Sequence, residues 1–294
     1  LYSQREVCLV LNGREVQIAF PEGELTGSTA FTNIATLQPF DLQCEYLSNP
    51  LGVDIPQPRL SWKMGTTVAV RGQRQTAYQV LVASSRELLD KEQGDLWDSG
   101  QVHSDESVHI VYDGKTLITG QKCFWKVRLA DEQGNWTSWS EPAYWQMGLF
   151  ADDWSAHWIG SAEMESQSVG GRPVDNKMFD PWFRKTFTLT ESLKEALIYV
   201  ASIGYHELYV NGCKIGNAVL APSVTDHKSR ARYVTYDISH YLKKGENVIA
   251  LWLGTSWAVF PAYQRNDKPA IPMALAQAEI TLTSGSKVRV ITDG

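Results

Sequence analysis

The side chains that could act as metal ligands or nucleophiles do not fall into a recognised catalytic pattern. The six histidines have neither HExxH nor paired spacing, and the serines have no GxSxG turn. The four cysteines are Cys8, Cys44, Cys123 and Cys213, and none forms the CxxC pair typical of zinc sites. We expect buried free thiols, because a chain of this size builds its core without disulfides.

Acidic residues are the next candidates, because glycosidic-bond hydrolysis uses two carboxyl groups about 5–9.5 Å apart. The acidic clusters are Asp152-Asp153, Glu163/Glu165 and Asp105-Glu106. Neighbouring residues of a strand point to opposite faces, and these clusters fall in predicted linkers or loops. We therefore expect solvated surface acids, and the sequence shows no recognisable catalytic pair.

A binding site is predicted in a long polar loop that ends near residue 180. Asp175 and Asn176 lie there, just before a predicted strand, and loops at one end of a β-sandwich often carry ligands. Their oxygens suit calcium and can pair with sugar hydroxyls, so Asp175 is a calcium candidate. Tyr205, Trp257 and Tyr263 could supply an aromatic face. The alternative is that Asp175-Asn176 is a solvated turn.

Tryptophans and cations alternate in a second notable segment. Lys126 and Arg128 share one face of a predicted strand, and Trp136 and Trp139 follow after a turn. We expect the indoles to stack on the cations as a structural ladder, each contact contributing about 0.5–1 kcal/mol. An aromatic platform for sugars and a receptor-type WSxWS box are the alternatives, although Thr137 makes the box imperfect.

The elements that must position these residues are short strands, most clearly from Ala196 to Trp257. Asn211-Gly212 is a strong hairpin signal, because both central residues of a type I′ turn need positive φ. Before this turn, Leu208 falls on one strand face, whereas Glu207 and Tyr209 fall on the other. This pattern of strands and turns predicts β-sandwich architecture.

The chain divides by pattern into a hairpin with its linker and two sandwich candidates. Residues 1–37 hold a hairpin around Asn12-Gly13, residues 38–148 suit a fibronectin type III-like sandwich, and residues 149–294 form a second sandwich. Predicted strands of the first sandwich are Leu60–Met64, Ala77–Ala83, His109–Tyr112, Cys123–Leu129 and Ala143–Met147. Because a sandwich would not naturally finish at Val288–Gly294, we expect more protein after Gly294.

Composition excludes several broad classes. The 294 residues are 43% hydrophobic and 11% aromatic, which is enough for packed cores. The net charge of −6 disfavours nucleic acid as a partner, and no apolar run is long enough for a membrane span. The first residues do not form a signal peptide, so the compartment stays open from composition alone.

Several short motifs, taken in order, resemble the N-terminal, non-catalytic region of bacterial α-L-rhamnosidases, which are glycoside hydrolases of family 78. The resemblance covers roughly residues 40–294. In the second half it rests on Trp154–Ile159, Trp182–Phe187, Tyr209–Gly212, Val219–Pro222 with Thr225-Asp226, Tyr233–Asp237 and Gly245–Asn247. In the first half it rests on Asn49–Asp54, Pro58–Trp62 and Ala77–Val80.

The resemblance implies an all-β fold, with a fibronectin-like domain followed by a galactose-binding-like jelly roll. It implies that an (α/α)6 barrel with the catalytic glutamates follows, so no catalytic residue is carried over to this chain. It also implies a rhamnose-containing glycan as partner, possible calcium dependence at Asp175-Asn176, and a periplasmic or secreted location. The alternatives are a stand-alone carbohydrate-binding module and an adhesion or receptor-like sandwich protein.

Overall fold

The computed structural model describes residues 7–11, 14–18, 37–66, 71–161, 168–169, 172–173, 180–226, 229–256 and 271–293. The chain separates into two units, Leu1–Ile34 and Ala35–Gly294. In the first unit, strands β1 (Val7–Leu11) and β2 (Arg14–Ile18) pair antiparallel with Leu11 opposite Arg14. The predicted N-terminal hairpin is confirmed, although Asn12 and Gly13 themselves lie outside the described residues.

The second unit begins with a sandwich of two sheets. Its strands are β3 (Leu37–Cys44), β4 (Leu51–Val53), β5 (Arg59–Thr66), β6 (Ala77–Ala83), β7 (Trp97–Asp98), β8 (Ile110–Val111), β9 (Lys122–Ala130) and β10 (Ala143–Met147). One sheet has the order β4-β10-β9-β6-β7, and the other has the order β3-β5-β8. The short helix α1 (Arg86–Asp90) begins where the Ser85 hydroxyl accepts a hydrogen bond from the Leu88 amide.

Alternation of side chains builds the core of this first sandwich. In β9, Cys123, Trp125 and Val127 are fully buried between the sheets. Trp125 and Trp145 are the largest buried side chains, and removing such rings from water stabilises the fold by several kcal/mol. The thiols of Cys44 and Cys123 are free and buried, as expected.

The second sandwich follows after a 3₁₀ turn at Ala151–Asp153. Its strands are β11 (Ile159–Gly160), β12 (Ser168–Val169), β13 (Arg172–Pro173), β14 (Trp182–Leu189), β15 (Leu193–Ile203), β16 (Tyr205–Val210), β17 (Cys213–Lys214), β18 (Tyr233–Asp237), β19 (Gly245–Gly254), β20 (Met273–Leu282) and β21 (Lys287–Ile291). A second 3₁₀ turn, Ser239–Tyr241, separates β18 from β19. One sheet is β11-β20-β15-β18, with β21 also on β20, and the other is β14-β19-β16-β17. The strands β12 and β13 pair with each other.

The predicted hairpin at Asn211-Gly212 is confirmed. Asn211 has φ of 49° and Gly212 has φ of 84°, so both central residues take the positive values that a type I′ turn requires. The turn joins β16 to β17, with Val210 opposite Cys213. One expectation is wrong here: Cys213 is exposed rather than buried, because the short edge strand β17 begins directly after the turn.

The two sandwiches share an interface. Leu149, Leu197 and Tyr199 are buried there, and Trp154 and Tyr233 pack against them. Leu197 and Tyr199 lie on the outer face of β15, so the first sandwich covers one outer face of the second. The all-β prediction with two sandwiches is confirmed. In the part of the chain that the structure describes, none of the helices is long and apolar enough for a membrane span.

Candidate functional site

The outer face of the second sandwich that lies opposite the first sandwich carries a pair of stacked tryptophans. Trp182 on β14 lies directly opposite Trp252 on β19, with ring centroids 5.0 Å apart and planes inclined by 12°. The flanking residues of β19, Leu251 and Leu253, point into the core, so the period of two turns Trp252 outward. Trp182 is 55% exposed and Trp252 is 37% exposed. Such large apolar rings are normally turned away from water.

A tyrosine extends this pair into a cluster of three rings. Tyr209 on β16 lies opposite Ala250, and its ring centroid is 5.2 Å from that of Trp182. Ala250, on the strand between β14 and β16, is small enough to let the two rings meet above it. The rings of Tyr209 and Trp182 are inclined by 46°. Three neighbouring strands thus contribute to one aromatic surface.

A carboxylate lies beside the rings and is held in place by two donors. Glu207 is the cross-strand neighbour of Trp252. Its Oε2 accepts a hydrogen bond of 2.7 Å from the Tyr209 hydroxyl, and its Oε1 accepts one from Lys214 Nζ. These bonds, first from Lys214 and then from Tyr209, lower the pKa of Glu207. The same contact with Glu207 raises the pKa of Tyr209. Glu207 therefore presents an oriented anionic acceptor next to the indoles.

One predicted site residue lies on this face. Tyr205 begins β16 opposite Gly254, on the same side of the sheet as Glu207 and Tyr209. A Cβ atom placed on Gly254 would be 3.9 Å from both Tyr205 Cβ and Asp180 Oδ1, so a carboxylate lies close by. The other predicted site residues, which lie outside the described residues, are Asp175, Asn176, Trp257 and Tyr263. Their role in sugar binding stays a prediction.

Calcium binding likewise stays a prediction. Among the residues that the structure describes, no three His, Cys, Asp or Glu side chains come together in a group that could hold a metal. Asp175, the calcium candidate, is not among them.

Trp182, Trp252 and Tyr209 were not singled out as site residues by the sequence. The signal for two of them was present: alternation already placed Tyr209 outward, and it places Trp252 outward between two core leucines. The pairing of Trp182 with Trp252 depends on the register of β14 against β19, two strands that are far apart in the sequence. Alternation within a strand gives its faces but not its partner.

The first sandwich contains the predicted ladder of cations and indoles. The Arg128 guanidinium carbon is 5.1 Å from the ring centroid of Trp136 and 4.7 Å from that of Trp139. Lys126 Nζ is 5.0 Å from the Trp139 centroid, and burial lowers the pKa of Lys126. The Thr137 hydroxyl accepts a hydrogen bond from the Leu129 amide, which ties the loop to β9. These contacts confirm the predicted stacking of the indoles on the cations.

The acidic clusters lie in different environments. Asp105 and Glu106 are exposed, as expected, whereas Glu163 and Glu165 lie outside the described residues. Asp153 differs from the expected solvated acid, because it is half-buried and accepts a hydrogen bond from the Thr119 hydroxyl. It lies in a cleft of about 430 Å³ between the sandwiches.

Two more carboxylates line the same cleft. Glu195 accepts a 3.2 Å hydrogen bond from Gln146 Nε2, and Glu279 accepts one of 2.5 Å from Arg289 Nε. Each acid in this cleft is thus engaged by a neighbouring donor, which favours a structural role over acid–base chemistry.

A buried histidine, His206, contacts two hydroxyl groups. His206 Nδ1 is 2.9 Å from the Ser202 hydroxyl, and its Nε2 is 3.0 Å from the Tyr236 hydroxyl. Ser202 also donates to the Gly204 carbonyl at 3.0 Å. Burial lowers the pKa of His206 to about 4. Because Ser202 is fully buried, its hydroxyl cannot meet a substrate, and the array is structural.

Two joined β-sandwiches, one of them with an exposed aromatic face, define the chain as an all-β protein of two sandwich domains. Comparison with known protein families shows which kind of sandwich domains these are. A model of the Rha78A-like, N-terminal immunoglobulin domain matches residues 39–151, and a model of the α-L-rhamnosidase N-terminal domain matches residues 191–294. The two models match in chain order, so the chain corresponds to the N-terminal region of α-L-rhamnosidases.

Individual relatives agree over most of the chain. An α-L-rhamnosidase of Formosa agariphila is 33% identical over 256 residues, which are 85% of this chain and 27% of the relative. The solved structure of an α-L-rhamnosidase from Dictyoglumus thermophilum is 36% identical with a TM-score of 0.78, covering 89% of this chain and 29% of that one. One from Aspergillus terreus, 24% identical with a TM-score of 0.72, covers 87% of this chain and 29% of that one and shows the shared fold. The chain spans less than a third of the length of these relatives.

Proposed function

We propose that this chain is the N-terminal accessory region of an α-L-rhamnosidase, an enzyme that removes terminal α-L-rhamnose from glycans or glycosides. In this proposal the chain binds or positions the carbohydrate, and the rest of the enzyme cleaves it. The observation that carries the proposal is the match of two N-terminal domain models, in order, to residues 39–151 and 191–294.

The chemistry of the described residues supports an accessory role rather than a catalytic one. The carboxylates of the interdomain cleft, Asp153, Glu195 and Glu279, are each hydrogen-bonded to protein donors. A general acid needs a raised pKa and a general base must reach its substrate. Glu207 has the opposite property, because its donors lower its pKa and keep it ionised. Glu207 is therefore suited to accepting hydrogen bonds.

A hydrolysis assay tests the accessory assignment. The purified 294-residue chain is incubated with an aryl α-L-rhamnoside, and release of the aryl alcohol is followed by absorbance. We expect no turnover, whereas the α-L-rhamnosidase from Dictyoglumus thermophilum serves as the active control. Measurable turnover that co-purifies with the 294-residue chain would overturn the proposal.

A stand-alone carbohydrate-binding module is the second candidate, and the exposed aromatic face favours it. Calorimetry with L-rhamnose, with and without calcium, separates a binding module from a scaffold that only supports other domains. If Asp175 holds calcium at a sugar site, Asp175→Ala abolishes any calcium-dependent binding. Unchanged binding by this variant would exclude the Asp175-Asn176 site. Receptor-like modules usually carry a disulfide in their first sandwich, and Cys44 and Cys123, the candidates for it, are free thiols, which disfavours that alternative.

A further inference from the structure

The two outer faces of the second sandwich differ in whether their large apolar side chains are buried. One face meets the first sandwich through Leu197 and Tyr199, which are buried. The opposite face exposes Trp182 and Trp252, although nearby outward positions such as Thr186 show that the fold accepts polar residues there. Clustered exposed apolar side chains commonly mark binding surfaces.

From this geometry we infer that Trp182, Trp252, Tyr209 and Glu207, here called the aromatic face, bind a neutral pyranose ring. The inference deepens the proposed function and rests on it. The C–H bonds of a pyranose carry slight positive charge and pack against the electron-rich faces of aromatic rings. The indoles are stacked with centroids 5.0 Å apart, so each covers one face of the other, and the exposed outer surface of the pair remains for a sugar.

The carboxylate at the aromatic face can bind the hydroxyl groups of a sugar. Sugar hydroxyls need acceptors, and Glu207 supplies an ionised carboxylate whose orientation is fixed by Tyr209 and Lys214. Lys214 balances the charge of Glu207, so this pair favours neither an anionic nor a cationic sugar, and the ligand class is neutral. A 6-deoxyhexose such as rhamnose fits this class, because its methyl group adds apolar surface for the rings.

A protein partner fits the aromatic face less well. Stable protein interfaces bury about 20–30 residues on each side, and charged residues are depleted at their centres. Here the Glu207–Lys214 ion pair lies beside the rings, and its side chains are only 32% and 37% exposed. Covering it with a protein would cost desolvation that sugar hydroxyls can offset by hydrogen bonding.

The test is binding of methyl α-L-rhamnoside to the 294-residue chain, measured by saturation-transfer NMR and by calorimetry. Trp182→Ala and Trp252→Ala are each expected to weaken binding about tenfold or more. Trp158→Ala is the matched control, because Trp158 is 39% exposed but precedes β11 of the opposite sheet, and it should leave affinity within about twofold. Circular dichroism confirms that each variant is folded.

Two milder variants keep the test valid if an alanine variant does not fold. Trp252→Phe retains a ring and should bind more tightly than Trp252→Ala, whereas Glu207→Gln keeps the shape but should weaken binding. Sugar binding that is unaffected by changes at Trp182, Trp252 and Glu207 would overturn the aromatic face and leave the accessory function standing. Absence of binding by the unmodified chain would overturn it equally.

A third readout separates a protein interface from a sugar site. If the tryptophan variants change the oligomeric state, measured by light scattering, without changing sugar affinity, the aromatic face is an interface between copies of the chain and the inference fails. Hydrolysis of an aryl rhamnoside by the 294-residue chain concerns the accessory function alone. The two proposals therefore fail by different measurements.

Discussion

The hydroxyl group of Tyr233 lies against the backbone of Gly148, so that a Cβ atom placed on Gly148 would be only 2.1 Å from the tyrosine oxygen. Gly148 follows the last strand of the first sandwich, and Tyr233 begins β18 of the second. A similar approach occurs at Gly52, where a Cβ would be 2.1 Å from Thr235 Oγ1. The sandwiches therefore meet through glycines, and any side chain there would separate them.

Gly148→Ala should destabilise the chain by about 1–3 kcal/mol, the usual cost of an overpacked site. Gly148 does not have the positive φ that would itself disfavour alanine, so the cost is steric. Tyr233→Phe removes the clashing oxygen, so the double variant should recover part of the loss. The rest remains, because Gly52 O would lie 3.0 Å from the same Cβ and the hydrogen bond from Tyr233 to Gly52 O is lost. Urea unfolding of the two single variants and the double variant measures this coupling. Strictly additive losses would show that the contact does not limit the interface.

Arg128 should not be replaceable by lysine. Its guanidinium stacks on Trp136 and Trp139, and its NH2 and Nε groups both donate to Gln79 Oε1, at 2.6 and 3.0 Å. Lysine has no planar fork, so Arg128→Lys should lose about 1–2 kcal/mol of unfolding free energy.

The exposed Arg86, which pairs with Asp90 one helical turn away, provides the control for Arg128. Arg86→Lys should change the unfolding free energy by less than about 0.5 kcal/mol. Both variants are measured by urea unfolding under the same conditions. Equal effects of the two replacements would mean that the ladder contributes no more than a surface ion pair.

Local patterns predicted much of this fold. Strands β6 and β10 begin and end at the predicted residues, because alternating apolar residues and turn signals define them within a few positions. The type I′ turn could also be predicted from a local signal, the Asn211-Gly212 pair. The aromatic face was not predicted, because Trp182 and Trp252 become neighbours only through the register between β14 and β19. The Gly148–Tyr233 contact likewise depends on how two sandwiches meet, which no single segment encodes.

Cysteine reactivity should follow burial. Cys213 is exposed, whereas Cys44 and Cys123 are buried, and desolvation raises the pKa of both buried thiols, that of Cys123 to about 12. In the native chain at pH 8, iodoacetamide should alkylate Cys213 well before these two. Peptide mass mapping assigns the modification to each residue, including Cys8. Labelling of Cys44 or Cys123 as fast as Cys213 would contradict the buried positions.

Acid should weaken the second sandwich through His206. One arrangement of protons satisfies its neighbours: Tyr236 donates to Nε2, Nδ1–H donates to Ser202, and Ser202 donates to the Gly204 carbonyl. Protonating Nε2 would force the Tyr236 hydroxyl to turn and accept, and it would place a charge in a site where the histidine is only 4% exposed. The neutral form is therefore the folded form.

The sign of the pH dependence follows from the direction of the shift. The folded pKa of His206 is about 4 and the unfolded value is about 6.5, so the unfolded chain binds a proton first as pH falls. Stability is complete above about pH 6.5 and declines as pH falls toward 4. At about 1.36 kcal/mol per pKa unit, the loss between pH 6.5 and pH 5 is on the order of 2 kcal/mol.

Urea unfolding between pH 5 and pH 7.5 measures this loss in a range where carboxylates with unperturbed or lowered pKa values remain ionised. His206→Gln should be less stable at pH 7.5, because it cannot make both hydrogen bonds, but it should lose little further stability down to pH 5. The difference between the two pH profiles isolates His206 from the other titratable groups. Parallel profiles for the variant and the unmodified chain would show that His206 is already protonated in the folded state or that it does not titrate on unfolding.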